Sequence, residues 1–316
     1  MKEIGGFFEL ELRRGGEFHW NAIRLNSGHA AFEYILKARD FKRIWLPYFT
    51  CRIMAETAER NGIRASFYNI DNSFAPDFDF SVLKSDEGFV YTNYFGLCDN
   101  EVKKAMITCP NLIVDNAQAF YSKPLKGVDT FYSPRKYFGL PDGGYLFTDA
   151  RLNCRLERDS SINRFEHLLG RIETSPAKYL EKFRANDIYL GSQSIKQMSL
   201  ITRRLLESID YSHIAEIRRQ NFNYLNSHLS ATNKLSLNLS SKCVPMVYPY
   251  LTGRGDLKDR LLKNKIYVAT YWPEVLGCSS SSDQEKELAG KMLALPIDHR
   301  YSLKDMKRIV HTLRFE

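Results

Sequence analysis

Short apolar runs alternate with helical patterns through the first half of the chain, and this alternation restricts the fold more than any other feature. Apolar runs that predict strands lie at 44–46, 65–70, 88–93 and 112–115, and the segment 53–61, followed by Gly62, predicts a helix. The pattern is typical of a mainly parallel sheet with helices on its faces. We therefore predict an α/β fold.

The pattern changes after the apolar run 145–147, and the change predicts a second domain. Helical spacing dominates 180–229, and the tail is mixed, with strands predicted at 244–248 and 266–268 and helices at Leu257–Lys263 and 302–313. At 316 residues the chain also lies just past the size at which a single core tends to stop growing. We expect a large domain over 1–210 and a smaller C-terminal α/β domain over 211–316.

Charge and cysteine usage narrow the function classes. The formal net charge is +8, but the Lys and Arg residues are scattered among 37 acidic ones and no zinc-finger spacing appears, so we expect neither a nucleic-acid partner nor a metal site. Six widely spread cysteines without a C-x-x-C pair, and an N-terminus without an apolar leader, indicate a cytoplasmic protein with reduced thiols. No apolar run approaches the roughly 20 residues that span a bilayer, so no membrane anchor is expected.

The first segment that carries chemistry is Leu-Asn-Ser-Gly-His-Ala-Ala-Phe at 25–32, a turn of small residues that enters a helix. N–H groups at a helix start favour a phosphate, and Gly28 permits close approach. An ordinary N-cap by Ser27 explains the same letters. The segment alone leaves both interpretations open.

The second segment places Asp115 at the end of the apolar run 112–115, with Gln118 three positions later. In open α/β sheets, ligands bind at the carboxyl ends of the strands. A carboxylate there can pair with the protonated pyridine nitrogen of a cofactor. It can equally cap the next helix, so this segment alone is also inconclusive.

The third segment, 130–145, sets Lys136 among aromatic residues, after Ser133 and ahead of an Asp-Gly-Gly turn at 142–144. A lysine that forms a Schiff base needs a depressed pKa, which apolar surroundings and neighbouring cations supply. A lysine in a loop is more often a solvated surface residue. The order of the three segments is more informative than any one of them.

In that order the segments resemble the nucleotide-sugar aminotransferases, the DegT/StrS group of fold-type-I enzymes that use pyridoxal 5′-phosphate (PLP). The shared pattern is Ser-Gly-x-Ala-Ala, then Asp-x-Ala-Gln-Ala, then a Ser and a Lys ahead of an acidic-Gly-Gly turn. Segments 46–50, 93–96 and 288–297 are similar to the family as well, so the resemblance covers most of 20–316. It implies an aspartate-aminotransferase-like fold with a mainly parallel seven-stranded sheet flanked by helices.

The resemblance implies a role for each polar residue of the motifs. Lys136 would hold PLP covalently and carry the proton between cofactor and substrate. Asp115 would bind the pyridine nitrogen and Gln118 the O3′ region.

The remaining cofactor contacts implied by the resemblance are to the phosphate and to one face of the ring. Ser133 and the backbone of Gly28 and His29 would hold the phosphate, and Phe49 or Cys51 would lie against the ring. The family's Asn-Tyr-Arg motif, which reaches into the neighbouring subunit, has only Asn186 and Tyr189 as counterparts, with no arginine after them.

The function implied is transfer of an amino group, expected from glutamate, to a keto-sugar on a nucleoside diphosphate, by a homodimer with a role in polysaccharide synthesis. One alternative is a PLP-dependent sugar dehydratase, although in such relatives a histidine typically replaces the lysine that Lys136 retains. The other alternative is a non-catalytic homologue that binds sugar nucleotides.

Overall fold

The computed structural model describes residues 4–237, 240 and 242–315. The strands, in chain order, are β1 (Ile23–Leu25), β2 (Arg43–Pro47), β3 (Arg64–Ile70), β4 (Pro76–Asp77), β5 (Glu87–Thr92), β6 (Leu112–Asp115), β7 (Asp129–Tyr132), β8 (Gly144–Phe147), β9 (Val247–Tyr250) and β10 (Leu293–Pro296). The helices are α1 (Gly28–Arg39), α2 (Arg52–Arg60), α3 (Asp99–Thr108), α4 (Glu166–Glu173), α5 (Leu180–Ser192), α6 (Leu200–Glu207), α7 (Tyr211–Leu229), α8 (Leu257–Lys263), α9 (Asp283–Lys291) and α10 (Leu303–Phe315).

Eight strands form the main sheet, in the order β1-β8-β7-β6-β5-β2-β3-β4. The pairings β7-β6, β6-β5, β5-β2 and β2-β3 are parallel, whereas β1, β8 and the two-residue β4 add antiparallel edges. Every residue of β5, β6 and β7 is buried, as expected for parallel strands covered on both faces. The predicted α/β class and mainly parallel sheet are confirmed, with the short β4 as an eighth strand.

Helix α1 begins at a side-chain cap. The Ser27 hydroxyl accepts a hydrogen bond from the Ala30 N–H at 3.0 Å, which caps the helix. The helix then buries its middle, from Ala30 to Leu36, against the sheet. The N-cap interpretation of Ser27 is therefore correct, and it leaves the neighbouring N–H groups of the first turn free of intrahelical partners.

The C-terminal part has a sheet and a core of its own. Strands β9 and β10 pair antiparallel, and the apolar side chains of α7, α8 and α10 pack on them. Helix α7 spans both cores, because Ile214 packs with the main core and Phe222 with the smaller one. The predicted boundary at residue 210 stays a proposal.

Two strand predictions in the tail need correction. The run 244–248 is a strand only from Val247, because the preceding residues leave the small sheet and the Met246 N–H pairs with the Phe95 carbonyl at 2.8 Å. No strand forms at 266–268, since the Ile266 N–H is used by the Leu261 carbonyl at the end of α8.

The closing helix confirms its prediction. Ser302 donates its N–H and its hydroxyl to the Asp305 carboxylate, at 2.8 Å and 2.9 Å, and α10 follows. Met306, Ile309, Val310 and Leu313 are buried, as their spacing predicts. Within the described ranges, no helix combines the length and apolarity needed to cross a membrane.

Candidate active site

Asp115 lies at the edge of the sheet where ligands bind in open α/β folds. It is the last residue of β6, next to Thr92 of β5 and Phe131 of β7, and all three strands run in the same direction. Its Oδ1 accepts the Ala117 N–H at 2.8 Å, so the side chain also closes the turn after the strand. Burial raises the pKa of the Asp115 carboxyl, while the Lys136 ammonium and the Ala117 N–H lower it.

Lys136 reaches the same edge from the neighbouring strand. Ser133 follows β7 directly, and Pro134–Lys136 form a 3₁₀ turn in which the Lys136 N–H donates to the Ser133 carbonyl at 3.1 Å. Lys136 is exposed, and its ammonium acts on the pKa of the buried Asp115 carboxyl. The structure therefore brings together the lysine and the carboxylate that the sequence selected.

Helix α5 fixes this lysine-bearing turn from outside. The Asp187 carboxylate pairs with Arg135, just before Lys136, and the Asn186 side-chain N–H donates to the Pro141 carbonyl at 2.8 Å. Asn186 is thus buried inside this subunit, where it binds the loop that follows the lysine turn.

Gly28 and Ser133 form a cradle beside the lysine turn. A Cβ at residue 28 would lie 3.1 Å from the Ser133 Cβ and 3.4 Å from the Tyr132 carbonyl oxygen. The start of α1 is also tied to the Asp-Gly-Gly turn, because the Gly143 N–H donates to the Asn26 carbonyl at 2.7 Å. Free N–H groups at a helix start next to a serine hydroxyl suit a phosphate.

Gln118 presents a buried hydrogen-bond donor at the site. Its Oε1 accepts the Phe95 N–H at 3.1 Å, which fixes the orientation of the amide. Its Nε2 is buried and has no hydrogen-bond partner in the described part of the chain. Buried donors are nearly always paired, so an acceptor supplied from outside the chain would complete this group.

The two candidates for contact with a cofactor ring separate in the structure. Phe49 is fully buried, with its ring edge-on to Trp272 at 4.6 Å between centroids, so it has no surface free for a ligand. Cys51 is exposed at the surface of the site; desolvation by the protein around it raises the pKa of the thiol, and the Lys136 ammonium lowers it. Of the two, Cys51 is the exposed residue, and Phe49 lies within the core.

His29 places only its backbone near the cradle. Its Nε2 lies 3.0 Å from the Arg60 guanidinium on α2, and burial together with that cation lowers the pKa of the imidazole. The side chain therefore packs between helices, which agrees with a role for the backbone alone.

Residues from the C-terminal part lie next to the predicted site residues, and the sequence reasoning missed them. Trp272 has a left-handed backbone, with φ of 49°, and its ring packs against Phe49 and Tyr94. The following Glu274 is exposed, and its charge raises the pKa of the Cys51 thiol. The only signal in the sequence was an aromatic pair ahead of a proline at 271–273.

The Asp-Gly-Gly turn has a structural task. Asp142 is fully buried and accepts the Ser199 N–H at 2.9 Å, the Ser199 hydroxyl at 2.8 Å and the Thr202 hydroxyl. Its negative charge lies at the start of α6, where a helix favours an anion. At Gly144, a Cβ would overlap the Ser27 carbonyl, so the glycine allows β8 to approach the cradle.

Comparison with known proteins identifies the fold. No family model and no curated protein sequence matches the chain, whereas many solved structures do. They include a DegT/DnrJ/EryC1/StrS aminotransferase from Brucella abortus (18% identity, TM-score 0.63, covering 93% of this chain and 85% of that one). The sugar aminotransferase CalS13 from Micromonospora echinospora is similar as well (14%, 0.65, 93% and 86%). So is the PLP form of Spr1654 from Streptococcus pneumoniae (12%, 0.66, 93% and 86%).

These similarities extend over nearly the whole chain, and they confirm the predicted fold. The chain has the fold-type-I architecture of the DegT/StrS aminotransferases, so the resemblance seen in its motifs holds at the level of structure.

Proposed function

We propose that the chain is a PLP-dependent aminotransferase that transfers an amino group from glutamate to a nucleotide-linked keto-sugar. The observation that carries the proposal is the convergence of Lys136, buried Asp115 and Gln118 at the carboxyl edge of β6 and β7, where the Gln118 Nε2 has no hydrogen-bond partner among the described residues. These groups are complementary to a cationic pyridine ring with a phenolic oxygen, and the Gly28–Ser133 cradle suits its phosphate. One of the structurally similar proteins holds PLP.

When bound, PLP supplies an electron-accepting ring that stabilises negative charge on the substrate carbon. Asp115 would keep the ring nitrogen protonated, because a buried carboxylate gains most from a cation beside it. Gln118 would donate its free N–H to the phenolic oxygen. Lys136 would hold the cofactor through Nζ and, once released, would move the proton at that atom. Cys51 would cover one face of the ring.

The substrate class is inferred from the similar structures and from the charge of the chain. The similar structures include a sugar aminotransferase, and the net charge of +8 suits a diphosphate-bearing substrate. Retention of Lys136 favours transamination over the dehydratase alternative. Cytoplasmic synthesis of a surface polysaccharide is the setting we propose for the activity.

We also propose a homodimer. Apolar side chains on α4 and α5 face solvent in the single chain: Leu169 is 57% exposed, Ile172 80% and Ile188 74%. Helices α4 and α5 contact each other, and exposed apolar side chains on such a pair support an interaction site; a twofold pair is the commonest closed assembly. Sedimentation of the wild-type protein and of Ile172→Glu at micromolar concentration tests the proposal, which a monomeric wild type would contradict.

The cofactor is tested by borohydride reduction of the protein incubated with PLP, followed by peptide mapping. We expect the pyridoxyl label on Lys136, and a label on another lysine would contradict the assignment.

The reaction is tested by adding glutamate and then a panel of nucleotide keto-sugars. Loss of the yellow colour with glutamate and its return with one keto-sugar would support transamination. Loss of water from the sugar nucleotide in the absence of glutamate would favour the dehydratase.

A further inference from the structure

Arg218 of α7 is a buried cation held by backbone carbonyls. Its side chain is 1% exposed and donates to the carbonyls of Met246 at 2.9 Å, Tyr137 at 3.3 Å and Pro245 at 3.4 Å. Among the described residues no carboxylate is hydrogen-bonded to it, and burial lowers the pKa of the guanidinium. The Asp298 carboxylate raises this pKa, but it is hydrogen-bonded to Arg300. Among the described residues the hydrogen-bond acceptors of this buried cation are therefore backbone carbonyls, and its desolvation is unfavourable.

The carbonyl of Tyr137 is what gives this arginine a position in the site. Tyr137 follows Lys136 directly, and its ring lies under the Arg218 guanidinium, 4.5 Å from guanidinium carbon to ring centroid. The Tyr137 hydroxyl donates to the Gln118 carbonyl at 2.8 Å. One cation thus connects the lysine turn, the Gln118 backbone and the segment that leads into β9.

We propose that Arg218 is a positioning residue that fixes the lysine turn against the C-terminal part of the chain, so that Lys136 keeps its place relative to Asp115 and Gln118. The planar guanidinium has five N–H donors in a rigid fork, and it can bind carbonyls of two segments at once. A lysine at this position would keep the charge but has a single nitrogen. The consequence for catalysis rests on the proposed function, whereas the effect on the turn does not.

Helix α7 offers a matched control at the next residue. Arg219 donates to the Cys243 carbonyl at 3.0 Å, in the same incoming segment, but has no hydrogen bond to the lysine turn. Arg218→Met and Arg219→Met therefore remove the same chemical group from the same helix. Only the first releases Tyr137.

The lysine turn is examined first in the folded, cofactor-free protein, by hydrogen exchange of the backbone amides at 133 and 135–138. We expect exchange at least ~10-fold faster in Arg218→Met than in wild type, unchanged exchange in Arg219→Met, and an intermediate value in Arg218→Lys. Equal exchange in the two methionine variants would overturn the proposal. If Arg218→Met does not fold, Arg218→Lys decides: protection equal to wild type would overturn it, and partial loss supports it.

The second measurement has two parts: the affinity for PLP, and the pH at which the visible absorption band of the bound cofactor has changed by half. We expect PLP binding ~10-fold weaker and a displaced midpoint in Arg218→Met, with neither change in Arg219→Met, even if both lose similar thermal stability. Wild-type affinity and midpoint in Arg218→Met would contradict the positioning role. A wild-type protein that does not bind PLP would instead refute the proposed function, and the exchange result would still decide the role of Arg218 in the turn.

Discussion

Replacing Asp115 by asparagine separates cofactor tuning from turn formation. The substitution keeps the size of the side chain and an Oδ1 that can accept the Ala117 N–H, now found at 2.8 Å. It removes only the negative charge. Because burial raises the pKa of the Asp115 carboxyl, holding this group ionised is unfavourable in the cofactor-free protein.

The two states of the protein should therefore respond in opposite directions. Without PLP, Asp115→Asn should not destabilise the fold at neutral pH, and relief of the buried charge should raise the free energy of unfolding. With PLP, the ring nitrogen loses its partner. Removing one member of a buried charge pair costs about 3–5 kcal/mol, which corresponds to a loss of about 10²–10⁴ in turnover.

The assay compares thermal unfolding of the cofactor-free proteins with the rate at which glutamate discharges the yellow colour of the loaded proteins. We expect the colour to persist in Asp115→Asn, since Lys136 and the phosphate cradle remain. A folded, PLP-loaded variant with near-normal turnover would refute the cofactor placement. A cofactor-free variant that loses about 1 kcal/mol with turnover intact would assign Asp115 to capping alone.

Three further predictions test other parts of the structure. Burial lowers the pKa of His19 from 6.5 to about 4, so between these values the unfolded chain binds more protons than the folded one. Stability should fall by up to about 3 kcal/mol as pH drops through this window, and His19→Gln should flatten that dependence in urea unfolding. Lys136→Arg should change the free energy of unfolding by no more than about 0.5 kcal/mol, because the residue is exposed. The variant should not take up PLP covalently, and a persistent borohydride label would contradict this. Gly28→Val should push against Ser133 and weaken PLP binding by ~10-fold or more, while Gly277→Val, at an open position, should leave the affinity unchanged in a fluorescence titration.

The sequence by itself determined the central strands, the closing helix and the positions of Asp115 and Lys136. These follow from local regularities: apolar runs that end in polar residues, a capping pair at Ser302 and Asp305, and the order of three short motifs. Because β6 and β7 are parallel neighbours, their carboxyl ends lie at the same edge of the sheet. Short-range patterns were enough to predict these features, because each depends on a few consecutive residues and on the regular periodicity of a helix or strand.

Only the tertiary structure decided which side chains face the site. Phe49 and Cys51 are two positions apart in sequence, and packing of Trp272, more than 200 residues away, encloses the first and leaves the second exposed. Segments distant in the chain likewise decide that the Gln118 Nε2 finds no hydrogen-bond partner among the described residues and that Arg218 contacts backbone carbonyls. Burial and hydrogen-bond pairing depend on contacts between segments that are remote in sequence. Local periodicity does not indicate which remote segment packs against a given residue.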